Sequence, residues 1–248
     1  MAEVHEGSAP AFVERVTLRG ADGAKVEASH AAPEDGHVTA GIVLHPDIMG
    51  VRPLFDDLCR RLASHGYATC APEPFARAPE AILEAEDPSA RMAYVPELDD
   101  DVQLGDLETA AEYLNDRDHA DRTYVMGFCM GGMQTLKAAA TASFERAVAF
   151  YGMIRLPDDW RGPRLREPLA TAKDVCSTLA IFGGNDPFTP EADITALRRA
   201  WGSRPDCEIV VYPDAEHGFV HAPERPAHRA EDAADAWRRV LAFLAAEI

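Results

Sequence analysis

Long apolar runs are missing from this chain of 248 residues. No stretch approaches the roughly eighteen residues that a membrane-spanning helix needs, and Met1 to Pro10 carries glutamates where a secretory leader would be apolar. Basic residues are scarce too. Twenty-four Lys and Arg face forty-two Asp and Glu, and the net charge of -18 repels nucleic acid and anionic membrane surfaces. Neither is an expected partner. The five cysteines, at 59, 70, 129, 176 and 207, are odd in number and form no C-x-x-C pair, which excludes a disulfide framework and a zinc site. Reduced thiols suit a cytoplasmic protein. There is no phosphate loop, dinucleotide fingerprint or metal motif. Internal repeats, low-complexity tracts and linkers are also lacking, so residues 1–248 read as one domain. Oligomeric state leaves no trace in the sequence.

What is present is an alternation of short apolar runs with helical patterns. Phe12 to Leu18 and Lys25 to His30 flank the turn Gly20-Ala21-Asp22-Gly23 and read as an antiparallel hairpin. Strands are expected at Gly41 to Leu44, Tyr67 to Ala71, Thr123 to Val125, Ala147 to Tyr151, Thr178 to Phe182 and Glu208 to Tyr212. Helices are expected from Pro53, over Asp99 to Asn115, Gln134 to Ala142, Pro190 to Trp201 and Ala227 to Ile248. The carboxylates of the Asp99 helix read as a solvated face. Such an alternation predicts an α/β fold with a mostly parallel central sheet and helices on both faces, whose ligands sit beyond the carboxyl ends of the strands.

One heptapeptide stands out against this background: Met126-Gly127-Phe128-Cys129-Met130-Gly131-Gly132. Between strand and helix, Gly127 and Gly131 flank Cys129 as in G-x-S-x-G, where small neighbours permit a sharp turn that presents a nucleophile. Asp186 and then His217 follow later strands, in the chain order nucleophile, acid, base. Singly, Asp186 before Pro187 reads equally well as a turn former and His217 as an exposed loop histidine; order and placement favour the joint reading. The chemistry needs a thiolate to attack a carbonyl, an imidazole to move protons and a carboxylate to fix its tautomer. Backbone N–H groups must take the developing oxyanion, and Met130 and Ile48 are the candidates.

These residues resemble the dienelactone hydrolases, or carboxymethylenebutenolidases, of the α/β-hydrolase superfamily. The likeness rests on Pro46-Asp47-Ile48-Met49-Gly50, Gly127 to Gly132, Gly183-Gly184-Asn185-Asp186 and Glu216-His217-Gly218-Phe219. It implies an α/β-hydrolase fold, a triad of Cys129, His217 and Asp186, amides of Ile48 and Met130 as the oxyanion hole, and no cofactor or metal. A small ester or lactone would be cleaved through a thioester. The family's usual glutamate beside the thiol is Asp47 here, the expected modulator of Cys129. Its substrate-binding arginine four residues past the histidine is His221. Arg91 and Tyr94 in the irregular stretch before Leu98, with Phe219 and His221, are the remaining substrate contacts that the resemblance implies. The altered positions 47 and 221 also motivate an alternative, a ligand-binding or sensing protein that keeps the fold with little turnover.

Overall fold

A computed structural model describes residues 4–246. Its centre is an eight-stranded sheet ordered β1-β2-β4-β3-β5-β6-β7-β8. The strands are β1 (Ala11–Arg19), β2 (Lys25–Pro33), β3 (Ala40–His45), β4 (Tyr67–Pro72), β5 (Thr123–Phe128), β6 (Arg146–Phe150), β7 (Ser177–Gly183) and β8 (Cys207–Tyr212). β1 and β2 form the expected antiparallel hairpin, β2 pairs antiparallel with β4, and β3 to β8 are mutually parallel.

Both faces of the inner strands are covered, which is why these strands read as unbroken apolar runs rather than as alternating ones. Side chains still sort by the two-residue period. Ile42, Leu44, Tyr124, Met126, Phe128, Val148 and Phe150 join one buried layer with Phe55, Leu58, Trp237 and Val240. Val43, Val125, Ala147, Ala149 and Phe182 join the other, with Leu107, Leu114, Leu136, Leu197 and Trp201. The helices behind these names are α1 (Pro53–Ala63) and α7 (Ala230–Ala245) on the first face, and α4 (Asp100–Asp118), α5 (Met130–Ala138) and α6 (Glu191–Trp201) on the second. The stretch from 72 to 98 contains α2 (Glu80–Leu83) and α3 (Pro88–Tyr94).

Two expectations change. The helix placed at Gln134 to Ala142 runs from Met130 to Ala138, with Cys129 as its N-cap. Gly131 and Gly132 are poor helix formers, so propensity pointed past them. They are glycine because a Cβ on Gly132 would stand 2.5 Å from the Phe150 carbonyl oxygen, closer than packed atoms come. The carboxylates of α4 are likewise not all solvated. Asp100 is wholly buried, accepting from Lys137 Nζ at 2.8 Å, Gln134 Nε2 at 3.0 Å and the Arg166 N–H at 2.7 Å, and Asp106 is tied to Arg77.

From β3 the chain steps outward to β4 and then back past β3 to β5. Loops leaving β3 and β5 therefore diverge, and the crevice between their carboxyl ends is where this topology places a ligand. Asp47 and Cys129 sit in those two loops.

Candidate active site

Cys129 occupies a sharp turn with φ 57° and ψ -118°. A non-glycine residue there costs on the order of 1–3 kcal/mol, so the surroundings must hold it. Its N–H donates to the Phe150 carbonyl at 3.0 Å and its own carbonyl accepts from the Met133 N–H at 3.0 Å. The flanking glycines allow the turn to press against its neighbours. A Cβ on Gly127 would stand 2.2 Å from the Gly131 carbonyl oxygen, and one on Gly131 would stand 2.1 Å from that of His45, at the end of β3. The elbow is thereby seated against the root of the Pro46–Gly50 loop. Among the described residues, the N–H groups of Ile48 and of Met130, the first residue of α5, find no hydrogen-bond partner.

Asp186 and His217 reach the same edge from β7 and β8. Asp186 is 3% exposed, and its Oδ1 accepts from the Phe188 N–H at 2.8 Å while Oδ2 accepts from His217 Nδ1 at 2.7 Å. With Nδ1 so engaged, the other imidazole nitrogen is left for Cys129, which lines the same cavity as His217. Burial alone would pull the imidazole pKa down; the neighbouring Cys129 and the hydrogen bond to Asp186 outweigh it and raise the pKa. The rings of Phe188 and Tyr151 stand edge-on to the imidazole at 4.9 and 5.1 Å.

Asp47 does not face the thiol with a free oxygen. Its Oδ1 accepts from Arg52 Nη1 at 2.7 Å and the Met49 N–H at 2.9 Å, and its Oδ2 from Arg52 Nη2 at 2.8 Å and His221 Nε2 at 2.7 Å. Tyr151, buried just past β6 with φ 38°, donates its hydroxyl to His221 Nδ1. Burial penalises the Asp47 carboxylate, yet His221 and Arg52 hold its pKa well below the ordinary 3.8. Burial lowers the pKa of His221 from 6.5 against the pull of Asp47, so its ring is the neutral partner of a carboxylate.

Acid should loosen this cluster in a defined order. An unfolded chain protonates its histidine below about pH 6.5, while folded His221 resists, so stability falls as pH drops below that value. Asp47, whose pKa is depressed, adds its own loss only below about pH 3.9, as pH falls toward its folded value. Urea midpoints from pH 7 to 4 should thus slope more gently for His221→Gln than for wild type. Parallel slopes would show that position 221 is not a buried neutral imidazole.

A cavity of about 360 Å³ opens onto these groups, lined by Cys129, His217, Asp47 and Ile48, by the apolar Met49, Pro88, Met92, Met153, Trp160 and Phe188, and by Arg52, Glu86 and Arg225. Four expected substrate contacts lie outside its lining. Arg91 is buried over the Phe75 ring, donates to the Leu83 carbonyl, and pairs at 3.4 Å with Glu73, whose carboxylate accepts from the Val51 N–H at 2.7 Å. It braces the end of the Asp47 loop instead of presenting a charge to the cavity. Tyr94 borders a separate cleft with Pro74 and Leu98, Phe219 packs wholly buried against Tyr151 and Tyr212, and His221 is occupied as described. Other residues surround the site, and they differ in how far the sequence signals them. Arg52 carried a signal, five residues beyond Asp47 at a helix start, and Tyr151 another, at a strand's carboxyl end. Trp160, Phe188 and Arg225 lie in irregular segments whose paths no periodicity reveals.

The dienelactone hydrolase family model matches residues 26–248. An Escherichia coli K12 protein whose name assigns it to the carboxymethylenebutenolidases is 34% identical over 238 residues, 93% of this chain and 86% of that one. A similarly named Methylorubrum extorquens protein is 34% identical over 220 residues, covering 87% and 75%. A Klebsiella pneumoniae protein crystallised under a dienelactone hydrolase name superposes with a TM-score of 0.86 at 30% identity, over 96% of this chain and 99% of that one.

Proposed function

The chain belongs to the dienelactone hydrolase family, which makes it a carboxylic ester hydrolase, and from that premise we propose that it opens a small ester or lactone by attack of Cys129 sulfur. The observation that carries the reading is His217 lying between Asp186 and Cys129 on the wall of one cavity. Thiolate sulfur adds to the carbonyl carbon, and the carbonyl oxygen takes the charge and accepts from the Ile48 and Met130 N–H groups. The C–O bond to the leaving group then breaks, and His217 delivers the proton from its free nitrogen to the departing oxygen. Water next gives its proton back to His217 as its oxygen attacks the thioester, and the C–S bond breaks to return the thiolate. Asp186 keeps the imidazole in the tautomer this exchange needs.

A volume of about 360 Å³ with mostly apolar walls restricts the substrate to a small one, since ligand pockets span roughly 300–1,000 Å³. Leaving groups that are enols or phenols suit a thiolate, which is itself expelled readily. The reading takes residues 1–248 as one catalytic domain acting on a small molecule in a reducing, cytoplasmic setting, with five cysteines that are free in the structure.

Its test is to quench the protein within seconds of adding p-nitrophenyl acetate and map acetylation by mass spectrometry. An acetyl group on the peptide carrying Cys129, decaying as p-nitrophenol release continues, is the expected result. Turnover with the adduct on another residue would sink the assignment, and firm ligand retention without any turnover would favour the sensing alternative.

A further inference from the structure

In the Asp47 loop, the side chain of Asp47 accepts from the Met49 N–H at 2.9 Å, and its backbone carbonyl accepts from the Gly50 N–H at 2.9 Å. Residue 48 is caught between two closures of one turn, so the plane of the 47–48 peptide, which carries the Ile48 N–H, is fixed by how Asp47 is held. Four donors hold it. Arg52 grips both carboxylate oxygens with its fork, and His221, itself taking a hydrogen bond from Tyr151, closes on Oδ2. A carboxylate oxygen has two lone-pair directions, so two donors on each leave no acceptor site for a thiol proton. Asp47 is 5% exposed and His221 1%, so water does not compete for these bonds.

We propose that Arg52, Asp47, His221 and Tyr151 form a positioning chain whose task is to aim the Ile48 amide at the developing oxyanion, and that Asp47 does not activate Cys129. The inference rests on the Cys129 reading above. The chain spans three parts of the fold: the Asp47 loop and the start of α1, the end of β6, and the segment past His217. Arg52 is the member best suited to test, because its side chain is about 29% exposed and its replacement leaves the core intact.

Two readouts separate positioning from activation of the thiol. The first is kcat and KM for p-nitrophenyl acetate in Asp47→Asn, Arg52→Gln and Arg52→Lys. The second is the pH midpoint of Cys129 alkylation by iodoacetamide without substrate. A misaimed oxyanion donor should lower kcat on the order of 10–100-fold in Asp47→Asn and Arg52→Gln while KM stays within about threefold. Arg52→Lys, with a point charge in place of a fork, should fall between these and wild type. The alkylation midpoint should match wild type in all three. A midpoint displaced to higher pH in Asp47→Asn would overturn the proposal, because the carboxylate would then be serving the thiol; so would unchanged kcat in Arg52→Gln. Should Asp47→Asn not fold, the two Arg52 variants decide alone. Failure of the nucleophile assignment looks different: Cys129→Ala would keep its turnover whatever these variants do.

Discussion

Cys129→Ala is expected to lose turnover of aryl esters by about three to six orders of magnitude while remaining folded. On the cysteine mechanism proposed above, the loss is large because sulfur is the atom that bonds to substrate. Arg52 and Asp47 are bonded to each other, and His217 is the proposed proton carrier. What survives is slow attack by water, assisted by His217 and the amides of Ile48 and Met130, which is why the floor lies above the uncatalysed rate. Cys129→Ser should fare little better, since a hydroxyl stays protonated where a thiol ionises, and a histidine base tuned to a thiol must then remove a far weaker acid's proton. The fold should be nearly unaffected by the alanine. Position 129 keeps a Cβ in the same positive-φ turn, and the lost contacts are one sulfur's. The cleanest companion measurement is the imidazole pKa of residue 217 by NMR. Removing Cys129 removes one of the influences raising that pKa, so it should fall relative to wild type. Turnover near the wild-type rate in a well-folded Cys129→Ala protein would end the cysteine mechanism.

Much of this geometry was legible before any coordinates. The parallel strands were visible as apolar runs because both faces are covered, and Cys129, Asp186 and His217 could be placed because each directly follows a strand, where topology leaves little freedom. The family's loops pointed likewise to Ile48 and Met130, whose N–H groups have no hydrogen-bond partner among the described residues. Legibility ended where position depends on how an irregular segment packs. Arg91 is a charged residue in a covering stretch, which in sequence looks available to a ligand; only packing reveals Glu73 as its partner and the Asp47 loop as what it supports. The pairing of Asp47 with His221 spans 174 residues, and no local pattern signals it. The acidic face of α4 fails for the same reason, since Asp100 is buried only because Lys137 of a later helix comes to meet it.

The same dependence on packing gives a second substitution with a large structural effect, Gly131→Ala. Two terms oppose each other. Alanine inside a helix is favoured over glycine by up to about 1 kcal/mol, and Gly131 lies in the first turn of α5. Against that, the new Cβ would stand 2.1 Å from the His45 carbonyl oxygen, 2.5 Å from that of Pro46 and 2.7 Å from the His45 carbonyl carbon. All three are backbone atoms and cannot rotate aside, so the end of β3 must retreat, at a typical overpacking cost of about 1–3 kcal/mol or more. The clash therefore wins, and the melting temperature should fall by several degrees, at roughly 2–4 °C per kcal/mol for a chain near this size. Activity should suffer more than stability. The residues pushed back lead directly into the loop carrying the Ile48 amide, and displacement of a catalytic group by about 1 Å can cost on the order of 100-fold in rate. Gly105→Ala supplies the contrast within the same protein. It also lies in a helix, α4, but the nearest atom to its added Cβ is Ala21 Cβ at 3.8 Å, an ordinary contact. There only the propensity term remains, and the melting temperature should rise slightly with turnover unchanged. If both alanines stabilised the protein and left kcat alone, the elbow could not be seated against the end of β3, and the route by which that strand sets the oxyanion loop would have to be abandoned.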